Sequence, residues 1–273
     1  MTEEKDKNIF RTVPNSLPMA DDEDDEPCLV SIELHDNVHI ELEESFDAHS
    51  DATTDQTGDC IWDCAMRLCA HLVQMRCQEG GKAGDAWNPQ GKRILELGSG
   101  TGAVGIALTK LGASAVCLSD QHIELLQRNV ERNCGSSNSA EQTDVRVVQL
   151  EWSSCAEDFY KASGMRASDF DWVVASDVVY PSSPASDLAH LLGTLLKANS
   201  ALRMLLAYER RPVPNSSEDH ARNFFECLAP ENGLCLKRVV RKEELEAETI
   251  SARQPTPSCR RVGYIPEIQL WRH

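Results

Sequence analysis

The sequence predicts an α/β domain, a mainly parallel sheet with helices on both faces, preceded by a β-hairpin and an acidic arm. Three observations carry this. From residue 93 onward, short apolar runs alternate with segments of helical period, the pattern of repeated strand–helix–strand units. One such run, Ile94-Leu95-Glu96-Leu97, leads into glycines at alternate positions and then into a helical segment, as at the ligand-binding edge of open α/β sheets. The charge is also segregated. The chain carries −17 overall, yet residues 1–60 hold 18 acids against 3 bases, which leaves the remainder close to neutral.

Taken in order, residues 1–27 end in an unbroken acidic run from Asp21 to Glu26. Such a block repels itself and buries nothing, so the arm is expected to be disordered. Residues 28–273 form the domain, with 28–60 as an appendage: Leu29, Ile32, Leu34 and Val38, Ile40, Leu42 alternate around Asp36-Asn37, a hairpin signature. Residues 46–59 are polar and read as a loop. Ile61, Ala65, Leu68, Leu72 and Val73 share one helical stripe. Glu79 to Gln90 is a loop with Gly80-Gly81 and Asn88-Pro89. Strands are then expected at 93–97, 115–119, 145–150, 172–176, 203–208, 234–240 and 263–271, and helices at 103–111, 122–133, 188–198 and 220–228. The stretch from Cys155 to Asp169 receives no element.

Composition excludes several classes. No basic footprint exists for gripping phosphates, so no nucleic-acid partner is expected. No apolar run approaches the ~18 residues that span a bilayer, and the N-terminus lacks the basic-then-apolar order of a secretory signal. Eleven cysteines, an odd number without a C-x-x-C pair, suggest neither a disulfide framework nor a metal site. Reduced thiols in a cytosolic or nuclear monomer are the expectation.

The most informative stretch is Glu96-Leu97-Gly98-Ser99-Gly100-Thr101-Gly102. Glycines there let a ligand press on the backbone, and the following helix start offers free N–H groups. Gly100-x-Gly102-x-x-Gly105, with Asp120 twenty residues after Gly100, also satisfies the dinucleotide fingerprint. Glu96 argues against that ligand, because a carboxylate beside a phosphate cradle would repel a pyrophosphate. It suits a ligand with a positive amino group, such as the methionine end of S-adenosylmethionine.

Glu96 to Gly102 resembles motif I of class I S-adenosylmethionine-dependent methyltransferases, and Asp120 resembles their second-strand acid. Ile61-Trp62-Asp63, Leu150-Glu151-Trp152, Ala175-Ser176-Asp177-Val178-Val179-Tyr180 and Tyr208-Glu209-Arg210-Arg211 follow in the order of methyltransferase family 16. That set is similar to its methyltransferase-like 21 group of protein-lysine methyltransferases. The resemblance implies a Rossmann-like, seven-stranded sheet and S-adenosyl-L-methionine as cofactor. Gly98, Gly100 and Gly102 would admit the donor to the main chain, and Asp120 would take both ribose hydroxyls. Trp152 would stack on adenine, with a core role as the alternative. Trp62 would contact the donor or pack the first helix, and Ala175 would give the adenosine room. Asp177 and Tyr180 are the implied catalytic residues: Asp177 orients an incoming amine, unless it only caps the loop before Pro181, and Tyr180 walls its channel. Tyr208 to Arg211 would lie on the same rim.

The implied reaction is methyl transfer to a side-chain amine of another protein, with lysine first and a basic or Lys-rich acceptor suggested by the acidic arm. Alternatives are methylation of protein histidine or arginine, or of a small molecule. Others are an inactive cofactor-binding scaffold and, last, an oxidoreductase using NAD.

Overall fold

The computed structural model describes residues 10–12, 28–45, 57–77, 88–135, 143–154, 156–209, 220–240 and 266–272, except the turn at 35–37. Most of the arm, the loops at 46–56 and 78–87, and Arg210 and Arg211 lie outside the described residues.

Strands β1 (Phe10–Thr12), β2 (Cys28–Leu34) and β3 (Val38–Glu44) form a three-stranded antiparallel sheet. The hairpin is the expected one. Its third strand corrects the reading of the arm as wholly disordered, since Phe10 pairs with Glu33 and Thr12 with Ser31. The exposed edge of β2 recruits this strand through backbone groups, which needs no apolar run.

The main sheet is built from β4 (Arg93–Leu97), β5 (Ala115–Asp120), β6 (Asp144–Gln149), β7 (Trp172–Ser176), β8 (Arg203–Glu209), β9 (Cys235–Val240) and β10 (Pro266–Arg272). Their order across the sheet is β6-β5-β4-β7-β8-β10-β9. The first five are parallel, and β10 runs antiparallel to both β8 and β9. β4, β5 and β7 are buried almost throughout, which explains why they read as near-continuous apolar runs.

Two cores flank the sheet. On one face α1 (Asp63–Cys77), α2 (Ala103–Lys110) and the hairpin's Val30, Ile32, Ile40 and Leu42 pack on Ile94 and Val174. On the other, α4 (Ala156–Ser163) and α5 (Ala185–Ala198) cover Leu95, Val173 and Leu206. They are joined there by a π-helical turn at Phe224–Leu228, which follows α6 (His220–Asn223), and by α7 (Ala229–Glu231). Helix α4 occupies the stretch that received no element. Its Phe159 is buried 6.0 Å from Phe170, a single anchor too isolated to set a period.

Helix α3 (Glu124–Cys134) joins the hairpin to the glycine loop through one polar side chain. Asn129 is fully buried; its Nδ2 donates to the carbonyls of Glu43 and Thr101, both at 3.0 Å, and its Oδ1 accepts the Glu43 N–H at 2.7 Å. Each of these atoms has a partner, as a buried amide requires. Because β4 neighbours both β5 and β7, strand order reverses beside it, and a crevice opens at the carboxyl ends of the parallel strands.

Candidate functional site

A cavity of about 590 Å³ fills that crevice, a size suited to a cofactor-sized ligand. Gly98, Ser99, Gly100 and Thr101 supply its floor, Asp120 and Trp152 its walls, and Ser45, Gly58, Asp59, Cys60 and Trp62 its roof.

The floor depends on missing side chains. Gly98 has φ +65°, and a Cβ there would stand 2.7 Å from Val178 Cγ1 and 3.3 Å from Trp152 Cζ2. Gly100 has φ +51°, and its Cβ would meet the Gly58 carbonyl at 3.0 Å. Both positions therefore need glycine for conformation and for space. Asp120 Oδ2 accepts the Gly100 N–H at 2.8 Å, and Oδ1 faces the His122 N–H at 3.3 Å. Burial raises its pKa, opposed by these backbone bonds. Each oxygen keeps a lone pair for a further donor.

Glu96 is 1% exposed and reaches the cavity from β4. Burial pushes its pKa up to about 8, moderated by the Ser99 hydroxyl and the Gly105 N–H. Its Oε2 has no hydrogen-bond partner among the described residues. A Cβ at Gly105 would collide with that oxygen and with Leu118. The third glycine of the fingerprint thus makes room for a carboxylate.

At the other end, Asp177 follows β7 with φ +60°, the one non-glycine residue at positive φ among those described. Its N–H donates to the Ala207 carbonyl at 2.8 Å, so β8 holds the strained backbone in place. Such a conformation costs about 1–3 kcal/mol and collects at functional sites. Tyr180 begins a turn closed by Ser183, whose Oγ accepts the Tyr180 N–H at 3.2 Å and donates to its carbonyl at 2.8 Å.

Trp62, Glu96, Gly98, Gly100, Asp120, Trp152, Asp177 and Tyr180 line one cavity. Two predicted residues do not. A Cβ at Gly102 would point at Leu126 Cδ1, 2.7 Å away, so its smallness serves packing beneath α2. Ala175 is fully buried in the core on the α5 face. Its neighbour Ser176 faces the cavity instead, and its buried Oγ has no hydrogen-bond partner among the described residues. A strand alternates faces residue by residue, so a one-position difference changes the side. Tyr208 and Glu209 are buried off the cavity wall, with the Tyr208 ring 4.6 Å from that of Phe225. Asp59 and Asp187, absent from the sequence reading, also line the cavity.

These residues fit S-adenosylmethionine. An unpartnered buried carboxylate oxygen suits an ammonium group, a second carboxylate suits ribose hydroxyls, and the bare glycine backbone admits the rest. A pyrophosphate fits poorly: among the described residues Arg128 is the one guanidinium on the wall, and it is held by Glu43 at 2.7 Å. Among the described residues no group of His, Cys, Asp or Glu could hold a metal ion, and no helix is long and apolar enough to cross a membrane.

A family model described as lysine methyltransferase matches residues 41–231. Protein N-lysine methyltransferase METTL21A of Danio rerio is 32% identical over 154 residues, covering 55% of this chain and 62% of that protein. EEF1A lysine methyltransferase 3 of Mus musculus is 29% identical over 198 residues, covering 71% of each. A solved Streptococcus mutans structure, described as a candidate SAM-dependent methyltransferase, shares the fold with TM-score 0.50 at 14% identity, over 92% of this chain and 57% of that one. The chain spans less than two thirds of the length of the first curated relatives it matches, 44% and 62%.

Proposed function

We propose a protein-lysine methyltransferase, on the premise that this chain belongs to the lysine methyltransferase family whose model covers most of it. The reaction is transfer of a methyl group from S-adenosylmethionine to a lysine side chain of another protein. One observation carries the reading: a single cavity joins the carboxylates suited to the donor, Glu96 and Asp120, to the strained corner at Asp177 and Tyr180.

The donor, when bound, supplies an activated methyl on a sulfonium, the electrophile of an in-line displacement. Everything else falls to the chain's own side chains. Glu96 Oε2 would hold the amino group and Asp120 the ribose, while Trp62 in the roof and Trp152 in the wall would enclose the donor. A lysine amine has an ordinary pKa of about 10.4 and must shed a proton before it attacks. Passage into a closed channel favours the neutral form. Asp177 would accept a hydrogen bond from the amine and fix its direction, and Tyr180 would exclude water beside it. Glu151, Asp177 and Asp187 on the same wall support a cationic, Lys-rich acceptor. The scattered cysteine set supports a cytosolic or nuclear setting.

The test is transfer of tritiated methyl into a lysate from cells lacking this protein, followed by hydrolysis to amino acids. Methyllysine is expected, and its appearance should require Asp177. Label running as methylhistidine or methylarginine would reassign the acceptor. Label confined to small metabolites, or no transfer at all, would overturn a protein methyltransferase.

A further inference from the structure

The roof of the cavity is a strap, residues 57–62, that feeds into α1: the Trp62 carbonyl accepts the N–H groups of Ala65 and Met66 at 3.0 and 3.3 Å. Bonds from both its middle and its end tie this strap to the end of β3. The Ser45 N–H donates to the Asp59 carbonyl at 3.1 Å. The Glu44 carboxylate, on a side chain reaching inward from a residue 3% exposed, accepts the Ile61 N–H through Oε1 at 2.7 Å. Ile61 is itself buried, so its N–H has no ready access to water if that acceptor is removed.

We propose that Glu44 is a positioning residue for the donor site. It does not line the cavity and acts through Ile61. Gly58 lies against the glycine loop, with its carbonyl 3.0 Å from the place a Gly100 Cβ would occupy, and its own Cβ position is 4.0 Å from Asp120 Oδ1. Trp62 closes the same roof one residue past the anchor. Slack in the strap therefore moves two cavity walls at once. The floor is tied to the same strand, since Asn129 bonds both Glu43 and the Thr101 carbonyl. Roof and floor are thus set against each other through the end of β3, with Glu44 holding one side and Asn129 the other. A charge-assisted bond to a backbone N–H is a strong tether for this purpose.

This inference rests on the donor-binding reading above and deepens it. Glu44→Leu keeps the bulk and deletes the acceptor, which leaves the Ile61 N–H buried without a partner. The Kd for S-adenosylhomocysteine and the KM for the donor should each rise about tenfold. Turnover at saturating donor, and the KM for the protein acceptor, should stay within about twofold. Amide exchange in the ligand-free protein should accelerate at Ile61 and its neighbours while β4 to β8 stay protected. Glu44→Gln keeps a carbonyl acceptor and should restore most of the affinity.

Unchanged donor affinity in Glu44→Leu would overturn the proposal, as would lost turnover with donor binding intact. So would a general loss of exchange protection, which would make Glu44 a plain stability residue. Failure of the wild-type protein to bind S-adenosylhomocysteine would count against the functional reading instead. Local exchange at Ile61 would then still decide whether Glu44 anchors the strap.

Discussion

At the β4–β5 end of the cavity, glycines at +65° and +51° and a carboxylate bonded to backbone N–H groups make a floor whose conformation its own residue types permit. At the β7 end, a non-glycine residue holds φ +60°, pinned by its N–H to the Ala207 carbonyl of β8, and the adjacent Ser176 hydroxyl makes no hydrogen bond among the described residues. The first end is relaxed and satisfied apart from Glu96; the second stores strain. A binding surface gains from being preformed, whereas strain persists only where the surroundings over-determine it and commonly marks chemistry. On the proposed function, affinity belongs to the floor and rate to the corner, and substitutions at each end should separate the two.

The largest effect is expected at Asp177. Asp177→Asn should lower kcat by about a hundredfold or more while the Kd for S-adenosylhomocysteine changes less than about twofold. Asp177→Gly sharpens the contrast, since it relieves the positive φ and should raise stability by about 1 kcal/mol while losing turnover. A stable and fully active glycine variant would dissolve the division. Next in size is Gly100→Ala, whose methyl would press on the Gly58 carbonyl at a positive φ. Donor affinity should fall by about thirtyfold in calorimetry, or roughly 2 kcal/mol.

The smallest effect concerns protons. Burial lifts Glu96 from an ordinary 4.5 to about 8, so between those values the folded chain binds more protons than the unfolded one. Stability contributed at this residue is therefore present at low pH, falls as pH rises through that window, and levels off above it. A cationic ligand favours the ionised carboxylate, so binding releases a proton, and affinity should climb a few-fold per pH unit toward about pH 8. Glu96→Gln should flatten both the melting-temperature profile and the affinity profile. An unchanged pH dependence in that variant would remove Glu96 from the ligand.

Much of the sheet was legible because its strands are buried on both faces: Arg93–Leu97 and Trp172–Ser176 begin and end where the apolar runs do. The floor was legible too, since glycines and acids at fixed spacing are features of the chain itself. Three kinds of residue were not. Phe10–Thr12 pairs through its backbone, which leaves no apolar signature. Asn129 and Glu44 are polar side chains whose burial depends on partners 86 and 17 residues away, and alternation or helical period cannot announce that. At Ala175 a small side chain suggests ligand space, but the pleat turns that methyl into the opposite core and gives the cavity to Ser176. The corner's residues Asp177 and Tyr180 were visible as cavity candidates, but the strain there was not, because nothing in an Asp-Val-Val-Tyr run specifies a left-handed aspartate.

The central claim is that one cavity holds an adenosyl donor with its reactive end toward the strained corner. A cocrystal structure with S-adenosylhomocysteine tests it most directly. The expected complex has the ribose hydroxyls on Asp120, the amino group on Glu96 Oε2, and the sulfur directed at Asp177 and Tyr180. A complex with the sulfur turned away from Asp177, or with Glu96 Oε2 still unpaired, would contradict it.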